Sequence, residues 1–255
     1  MISKARIKTI TSLKTAKYRK QLGLFVAEGS TNVLDFTSSE LKAREIYGTA
    51  KWIEKHGSRL LHLPVIEATG PELKKMSSLK TPPEVIGVFE IPFYPTPELN
   101  SIDDLALMLD DIRDPGNLGT IIRTADWFGI RHIMCSEHTV DAYNPKVVQA
   151  SMGSLGRVRI YYGALHEILS AKPDYLKVFG AVLHGKNIDE IAKPHRGIIM
   201  IGNESRGISD ELIKKVDEKI TIPNLPLPGG SSAESLNASI AAAIICYEFR
   251  RQSLK

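Results

Sequence analysis

Apolar and polar positions change their rhythm near residue 100. Before it the signals are mixed. Leu24-Phe25-Val26-Ala27 is a short apolar run closed by Glu28-Gly29, and Thr31 to Ser38 reads as the start of a helix. Ile46-Tyr47-Gly48 and Leu60 to Val65 read as strands, and Glu84 to Ile91 (EVIGVFEI) suits a buried strand. After residue 100 the pattern is cleaner. Leu105 to Leu109 (LALML) is uninterrupted, as expected of a strand covered on both faces. Further strands are predicted at Ile130 to Cys135, Lys177 to Leu183, Gly197 to Ile201 and Lys219 to Ile222. Helical spacing occupies Asn117 to Phe128, Ser209 to Val216 and Ser235 to Arg250. Strands alternating with helices imply a parallel sheet, whose ligands gather beyond the carboxyl ends of its strands.

Between the two regions, Ile91 to Asn100 (IPFYPTPELN) carries Pro92, Pro95 and Pro97, which prevent both a helix and a central strand. The expectation is a smaller N-terminal α/β domain over residues 1–92, a stiff linker over 93–102 and a parallel-sheet α/β domain over 103–255. No internal repeat or low-complexity tract interrupts this division.

Composition then removes classes of function. Hydrophobic residues make up 43% and charged residues 24% of the 255, which is ordinary for a globular protein. Cys135 and Cys246 lie far apart in apolar settings, so neither a disulfide framework nor a metal cluster is expected, and a reducing, cytoplasmic compartment fits. The longest apolar run, Ile240 to Tyr247, is too short to span a bilayer, and no apolar stretch follows the basic N-terminus as in a secretory signal. The net charge of +4 is mild, but Lys4, Arg6, Lys8, Lys14, Lys17, Arg19 and Lys20 occur before Leu22 with no acidic residue among them. Such a segment attracts phosphates; the alternative is a solvated helix face or tail.

Three polar stretches each follow a predicted strand. In Asp110 to Arg123 (DDIRDPGNLGTIIR), Pro115-Gly116 makes a turn, Asn117 reads as a helix cap, and Arg123 lies six residues further on. In Ile201 to Gly207 (IGNESRG), glycines bracket Asn203, Glu204, Ser205 and Arg206 and let backbone approach a ligand closely. In Ile220 to Ser239, a Pro/Gly-rich loop ends in Ser235-Leu236-Asn237 at the start of an apolar helix, whose N-terminus offers free N–H groups. Alone, each has a plainer reading: a capped helix with a surface arginine for the first, a solvated loop for the second, a capping loop for the third.

Together the three stretches resemble the motifs of the SpoU family, also called the TrmH family, of RNA ribose 2′-O-methyltransferases in the SPOUT superfamily. The matching residues are Asn117, Gly119 and Arg123; Gly202, Asn203, Glu204 and Gly207; and Ser235, Leu236, Asn237 and Ser239. The resemblance covers residues 103 to 255. RKQLGLFVAEG at Arg19 to Gly29 is similar to the family's N-terminal substrate-binding domain, which shares the ribosomal L30e/L7Ae RNA-binding fold.

The resemblance implies a deep trefoil knot in the C-terminal domain, a homodimer and S-adenosylmethionine as cofactor. It assigns catalytic roles to Arg123, Asn117, Glu204, Asn237 and Ser235, with Glu204 fixing its loop and binding Arg123. It assigns cofactor contacts to Leu183, Gly202, Asn203, Ile222 and Leu236, with no metal. The implied substrate is structured RNA, ribosomal RNA ahead of transfer RNA, with no membrane partner. The chain departs from the family in its long loop, Asn224 to Glu234, which carries two extra prolines. Two rivals are a non-catalytic RNA-binding protein of the same fold, against which the full residue set argues, and a knotted enzyme that methylates a base, which carries other signatures. A third, a dinucleotide-dependent oxidoreductase, lacks its G-x-G-x-x-G turn at Asp110 to Thr120.

Overall fold

The computed structural model describes residues 2–225 and 233–251. The chain forms two compact units, Met1–Phe93 with Asp141–Arg157, and Tyr94–Val140 with Val158–Lys255. The first begins with α1 (Lys4–Ser12) and α2 (Ala16–Leu22). There follow β1 (Leu24–Glu28), α3 (Ser30–Thr37), β2 (Ala43–Gly48), α4 (Ala50–His56), β3 (Val65–Glu67), α5 (Gly70–Met76) and β4 (Val85–Glu90). The sheet order is β1-β4-β2-β3, with β4 antiparallel to β1 and β2, and β3 parallel to β2.

The strand expected at Leu60 to Val65 forms later, at Val65–Glu67. Leu60 is buried at the end of a short 3-10 turn with its N–H on the Gly57 carbonyl, while Leu61 is exposed. Those leucines therefore serve a turn, and pairing with β2 begins only where the Pro64 carbonyl accepts from the Ile46 N–H.

The basic N-terminal segment is neither a tail nor a uniformly cationic face. Ile10 and Leu13 pack into a core with Val26, Tyr47, Leu73, Met76 and Ile86. Arg19 is 2% exposed; it donates to the carbonyls of Leu13 (2.8 Å) and Lys14 (2.9 Å) and pairs with Asp141. Arg6 pairs with Glu45, and the Lys14 ammonium donates to the Ser77 carbonyl. Of the exposed lysines of the segment, Lys4, Lys8, Lys17 and Lys20 have no hydrogen-bond or ion-pair partner among the described residues, unlike Lys14.

The second unit starts where a linker was expected. Leu99 and Ile102 are buried with Ala106, Met108 and Met200, so the stretch before β5 (Leu105–Leu109) is packed rather than free. After β5 come α6 (Pro115–Trp127) and β6 (His132–Cys135). The chain then contributes residues 141–157, with α7 (Pro145–Ser151), to the first unit. It returns through β7 (Arg159–Tyr162), α8 (Leu165–Ser170), β8 (Val178–Asn187), β9 (Gly197–Ile201), α9 (Asp210–Ile213), β10 (Glu218–Thr221) and α10 (Ala238–Arg251). All six strands run parallel in the order β10-β8-β9-β5-β6-β7. Every residue of central β5 and β9 is buried, which is why both read as unbroken apolar runs.

Against β10 the pairing of β8 slips. Lys219 faces Gly180 but Ile220 faces Lys186, so residues 181–185 bulge out of the ladder. A bulge re-aims side chains and is common beside active sites; here it carries Leu183.

Candidate active site

The three polar stretches meet at the carboxyl edge of the parallel sheet, around one amide. Asp114, not Asn117, caps α6: its carboxylate accepts the Asn117 N–H at 2.9 Å, with Pro115 filling the first helical position. Asn117 therefore lies inside the first turn with its side chain available. Its Nδ2 donates to Glu204 Oε1 at 2.8 Å, and its Oδ1 accepts from Asn237 Nδ2 at 2.8 Å. The carboxylate can only accept, so it fixes which way the Asn117 amide faces, and that in turn fixes Asn237. Asn237 Oδ1 is left facing the start of α10, where it accepts from the N–H groups of Ser239 (2.9 Å) and Ile240 (3.3 Å) and from Ser239 Oγ (2.6 Å). This cap is why α10 starts at Ala238 and not at Ser235.

Arg123 stands apart from this chain of bonds. It is exposed and has no hydrogen-bond or ion-pair partner among the described residues. Six residues make about one and two-thirds helical turns, so Arg123 leaves α6 on a different side from Asn117. The expected Glu204–Arg123 bond is thus replaced by Glu204–Asn117.

The second stretch is a tight hairpin. The Asn203 N–H donates to the Gly207 carbonyl (3.0 Å) and the Gly207 N–H to the Asn203 carbonyl (2.9 Å), with Gly207 at φ +69°. Gly202 was expected to make room for a ligand. A Cβ there would lie 2.2 Å from Gly207 C and Ile208 N, so the group that approaches it is the chain's own backbone. The Asn203 side chain is committed inside the loop: Oδ1 accepts from the N–H groups of Ser205 and Arg206, and Nδ2 donates to the Asp111 carbonyl at 2.8 Å.

Of the remaining expected residues, Leu183 is 61% and Leu236 50% exposed, and Ile222 is half-buried. Thr221 Oγ1 donates to the Leu183 carbonyl at 3.1 Å, which ties the β8 bulge to the end of β10 beside Ile222. Ser235 is exposed in the turn before α10. In the long loop, residues 226–232 lie outside the described residues.

Sequence reasoning passed over Asp111, Arg113 and the partner of Arg206. Asp111 follows β5 in a left-handed conformation (φ 57°), with its N–H on Ser136 Oγ. Its carboxylate takes Arg113 on Oδ1 (2.8 Å) and Arg206 on Oδ2. Burial pushes this carboxyl up, but the two guanidiniums outweigh it and hold it below the usual range. The hint was present: DDIRD directly follows a fully apolar strand. These residues line a cleft of about 690 Å³ with Ser136, His138, His166 and Glu211.

Residues 104–247 match the SpoU rRNA Methylase family, and residues 4–87 match the MRM3-like substrate binding domain. Among curated relatives, the 23S rRNA (guanosine(2553)-2'-O)-methyltransferase RlmP of Bacillus subtilis is 29% identical, with 96% of each chain covered. Among solved structures, an AdoMet-bound rRNA methyltransferase from Sinorhizobium meliloti superposes with a TM-score of 0.87 at 27% identity, covering 100% of this chain and 97% of that one. The SpoU methyltransferase AviRb of Streptomyces viridochromogenes, also in complex with AdoMet, gives 0.85 at 26% identity with 99% of each chain covered.

Proposed function

The chain belongs to the SpoU rRNA methylase family, and on that premise we propose that its substrate is ribosomal RNA, methylated at one ribose 2′-hydroxyl. It is an S-adenosylmethionine-dependent RNA 2′-O-methyltransferase. The observation that carries the reading is the Asn117 amide, which joins Glu204 of one stretch to Asn237 of another. The choice of ribosomal RNA is supported by the MRM3-like match over residues 4–87 and by relatives named for 23S rRNA.

The residues at the strand ends fit the cofactor. Leu183, Ile222 and Leu236 offer partly exposed apolar surface, and each adjoins or belongs to a segment tied into the site, by Thr221 or by Asn237. With Gly202 and Asn203, which shape the hairpin, these residues would hold it. When bound, S-adenosylmethionine supplies an electrophilic methyl group. The chain's task is to align a ribose hydroxyl with that group and to ease departure of its proton. A guanidinium stays protonated at any working pH, so Arg123 is assigned the phosphate beside the target ribose, where its charge lowers the hydroxyl pKa. Its lack of a partner among the described residues suits that role. Asn117, Glu204 and Asn237 are positioning residues, and Ser235 steadies the turn before α10.

The same reading includes a trefoil knot, supported by the family match over residues 104–247. It includes a homodimer, supported by the exposed apolar side chains Trp127 on α6 and Ile240 and Tyr247 on α10. It also places the enzyme in a reducing cytoplasm, where the buried thiols Cys135 and Cys246 stay free.

The test is to incubate the protein with tritiated S-adenosylmethionine and deproteinised ribosomal or transfer RNA, then digest with alkali. Label in alkali-resistant dinucleotides from ribosomal RNA is expected. Label confined to transfer RNA would overturn the substrate.

A further inference from the structure

Arg113 and Arg206 come from different segments and converge on one carboxylate. Asp111 is 12% exposed at its side chain, while the two arginines are 64% and 67% exposed. A largely buried carboxylate needs one counter-charge, and Arg113 alone would supply it. The second guanidinium leaves the trio with surplus positive charge. Each guanidinium carries five N–H donors. Asp111 engages Nε of Arg113 and Nη2 of Arg206, and the other donors have no partner among the described residues. Each side chain is thus anchored at one point with most of its fork directed elsewhere. Anchoring removes much of the rotamer entropy that a free arginine would lose on binding.

The position of the pair matters as much as its charge. Arg113 lies four residues before Asn117, and Arg206 two residues after Glu204, so each arginine is a near neighbour in sequence of one partner in the Asn117–Glu204 bond. Glu204 adds to the raised pKa of Arg113, after the larger effect of Asp111. Both arginines line the cleft of about 690 Å³, which lies within the range of small-molecule sites. His166 and Glu211 line it too, 3.8 Å apart. The paired guanidiniums form one edge of the cleft, while Asp110, Glu137, Asp210 and Glu211 line the rest of it; that division suits a nucleotide whose phosphate stays at the arginine edge and whose base N–H groups face the carboxylates. Leu183, Ile222 and Leu236 do not line it.

We propose that Arg113 and Arg206, paired on Asp111, clamp a second phosphodiester of the RNA substrate, distinct from the one assigned to Arg123, with the attached nucleotide lodged in the adjoining cleft. This rests on the reading that the substrate is RNA. The test compares wild type with an Arg113→Gln/Arg206→Gln double variant, using deproteinised ribosomal RNA as probe. RNA affinity is expected to fall ten- to hundredfold, and the slope of log affinity against log salt to shrink by about one to two units. The KM for RNA rises by more than kcat falls, while S-adenosylmethionine affinity moves less than twofold. Arg113→Lys/Arg206→Lys restores the salt slope but only part of the affinity, because an ammonium cannot form the fork. Unchanged RNA affinity and slope would show that the arginines only neutralise Asp111. A loss confined to S-adenosylmethionine affinity would make the cleft a cofactor wall; either result overturns the clamp. If the wild type binds ribosomal RNA but methylates none, the assigned reaction fails while the binding measurements still decide the clamp.

Discussion

Arg19 in the first unit is 2% exposed and directs its guanidinium at the Leu13 and Lys14 carbonyls and at Asp141. Arg123 in the second unit is exposed and has no partner among the described residues. Both are helical arginines; in the sequence Arg19 belongs to the basic segment that invites phosphates, and Arg123 to a motif of the family. The difference is what surrounds the head group. Arg19 lies in the middle of α2, and its donors complete carbonyls that the end of α1 and the α1–α2 turn leave unpaired. Arg123 sits on the outer side of α6, whose inner side, with Leu118, Ile121, Ile122 and Ala125, is fully buried. Charge that is satisfied internally holds a fold together; charge that is left over remains for a ligand.

The sharpest way to break this contrast is to remove each arginine. Arg123→Ala should lower kcat by about a thousandfold, on the order expected when preorganised charge at a reacting centre is lost, with little change in S-adenosylmethionine affinity or melting temperature. Activity within tenfold of wild type would end its catalytic assignment. Arg19→Ala should do the reverse. The change leaves the Leu13 and Lys14 carbonyls without their donor, at about 1–3 kcal/mol for a buried polar group left unsatisfied, so the melting temperature falls by several degrees while kcat of the folded fraction is kept.

Asn237 tests whether one residue can do both jobs. Its Oδ1 caps α10 and its Nδ2 holds Asn117. Asn237→Asp keeps a good cap, since Asp and Asn are equivalent there, but loses the donor and brings a second carboxylate toward an amide already bound to Glu204. Activity should fall at least tenfold with a melting temperature near wild type. Asn237→Ala should lose both, with about 1 kcal/mol of stability gone. If Asp behaves like wild type in the assay, the Asn117–Asn237 bond has no part in function.

The two units also show which features can be read from a single chain. The limits of β5 and β9 match the expected ones because both strands are covered on two faces and their runs have no polar break. Edge strand β7 (RIYY) gave no such signal: it is four residues long, with Arg159 and Tyr162 not buried. The cap on α6 was legible, since Asp before Pro is a helix start, yet Asn117 drew the assignment because it also belongs to a motif. The polar residues of the site were found by motif, and Asn117, Glu204 and Asn237 do meet. The trio at Asp111 was missed because Arg206 lies 95 residues away in sequence, and only the fold brings it to that carboxylate.

The smallest expected effect concerns the lysines that the first unit leaves free. Seven basic residues precede Leu22, but Arg6, Lys14 and Arg19 are engaged, so Lys4, Lys8, Lys17 and Lys20 are the candidates for RNA phosphates. Deleting the whole segment would be uninformative, since Ile10 and Leu13 would leave the core with it. Single Lys→Gln changes avoid that. Replacing a lysine that meets a phosphate should flatten the salt dependence of RNA binding by a little under one unit and weaken binding severalfold at most. Arg6→Gln is the matched control. It removes a partly exposed ion pair, worth about 1 kcal/mol or less, and should lower the melting temperature slightly without moving the slope. S-adenosylmethionine affinity should stay constant throughout. If all four lysine variants keep the wild-type slope, the segment's exposed charge is only solvated. If Arg6→Gln shifts the slope as much as they do, the division between engaged and free charge fails in the first unit.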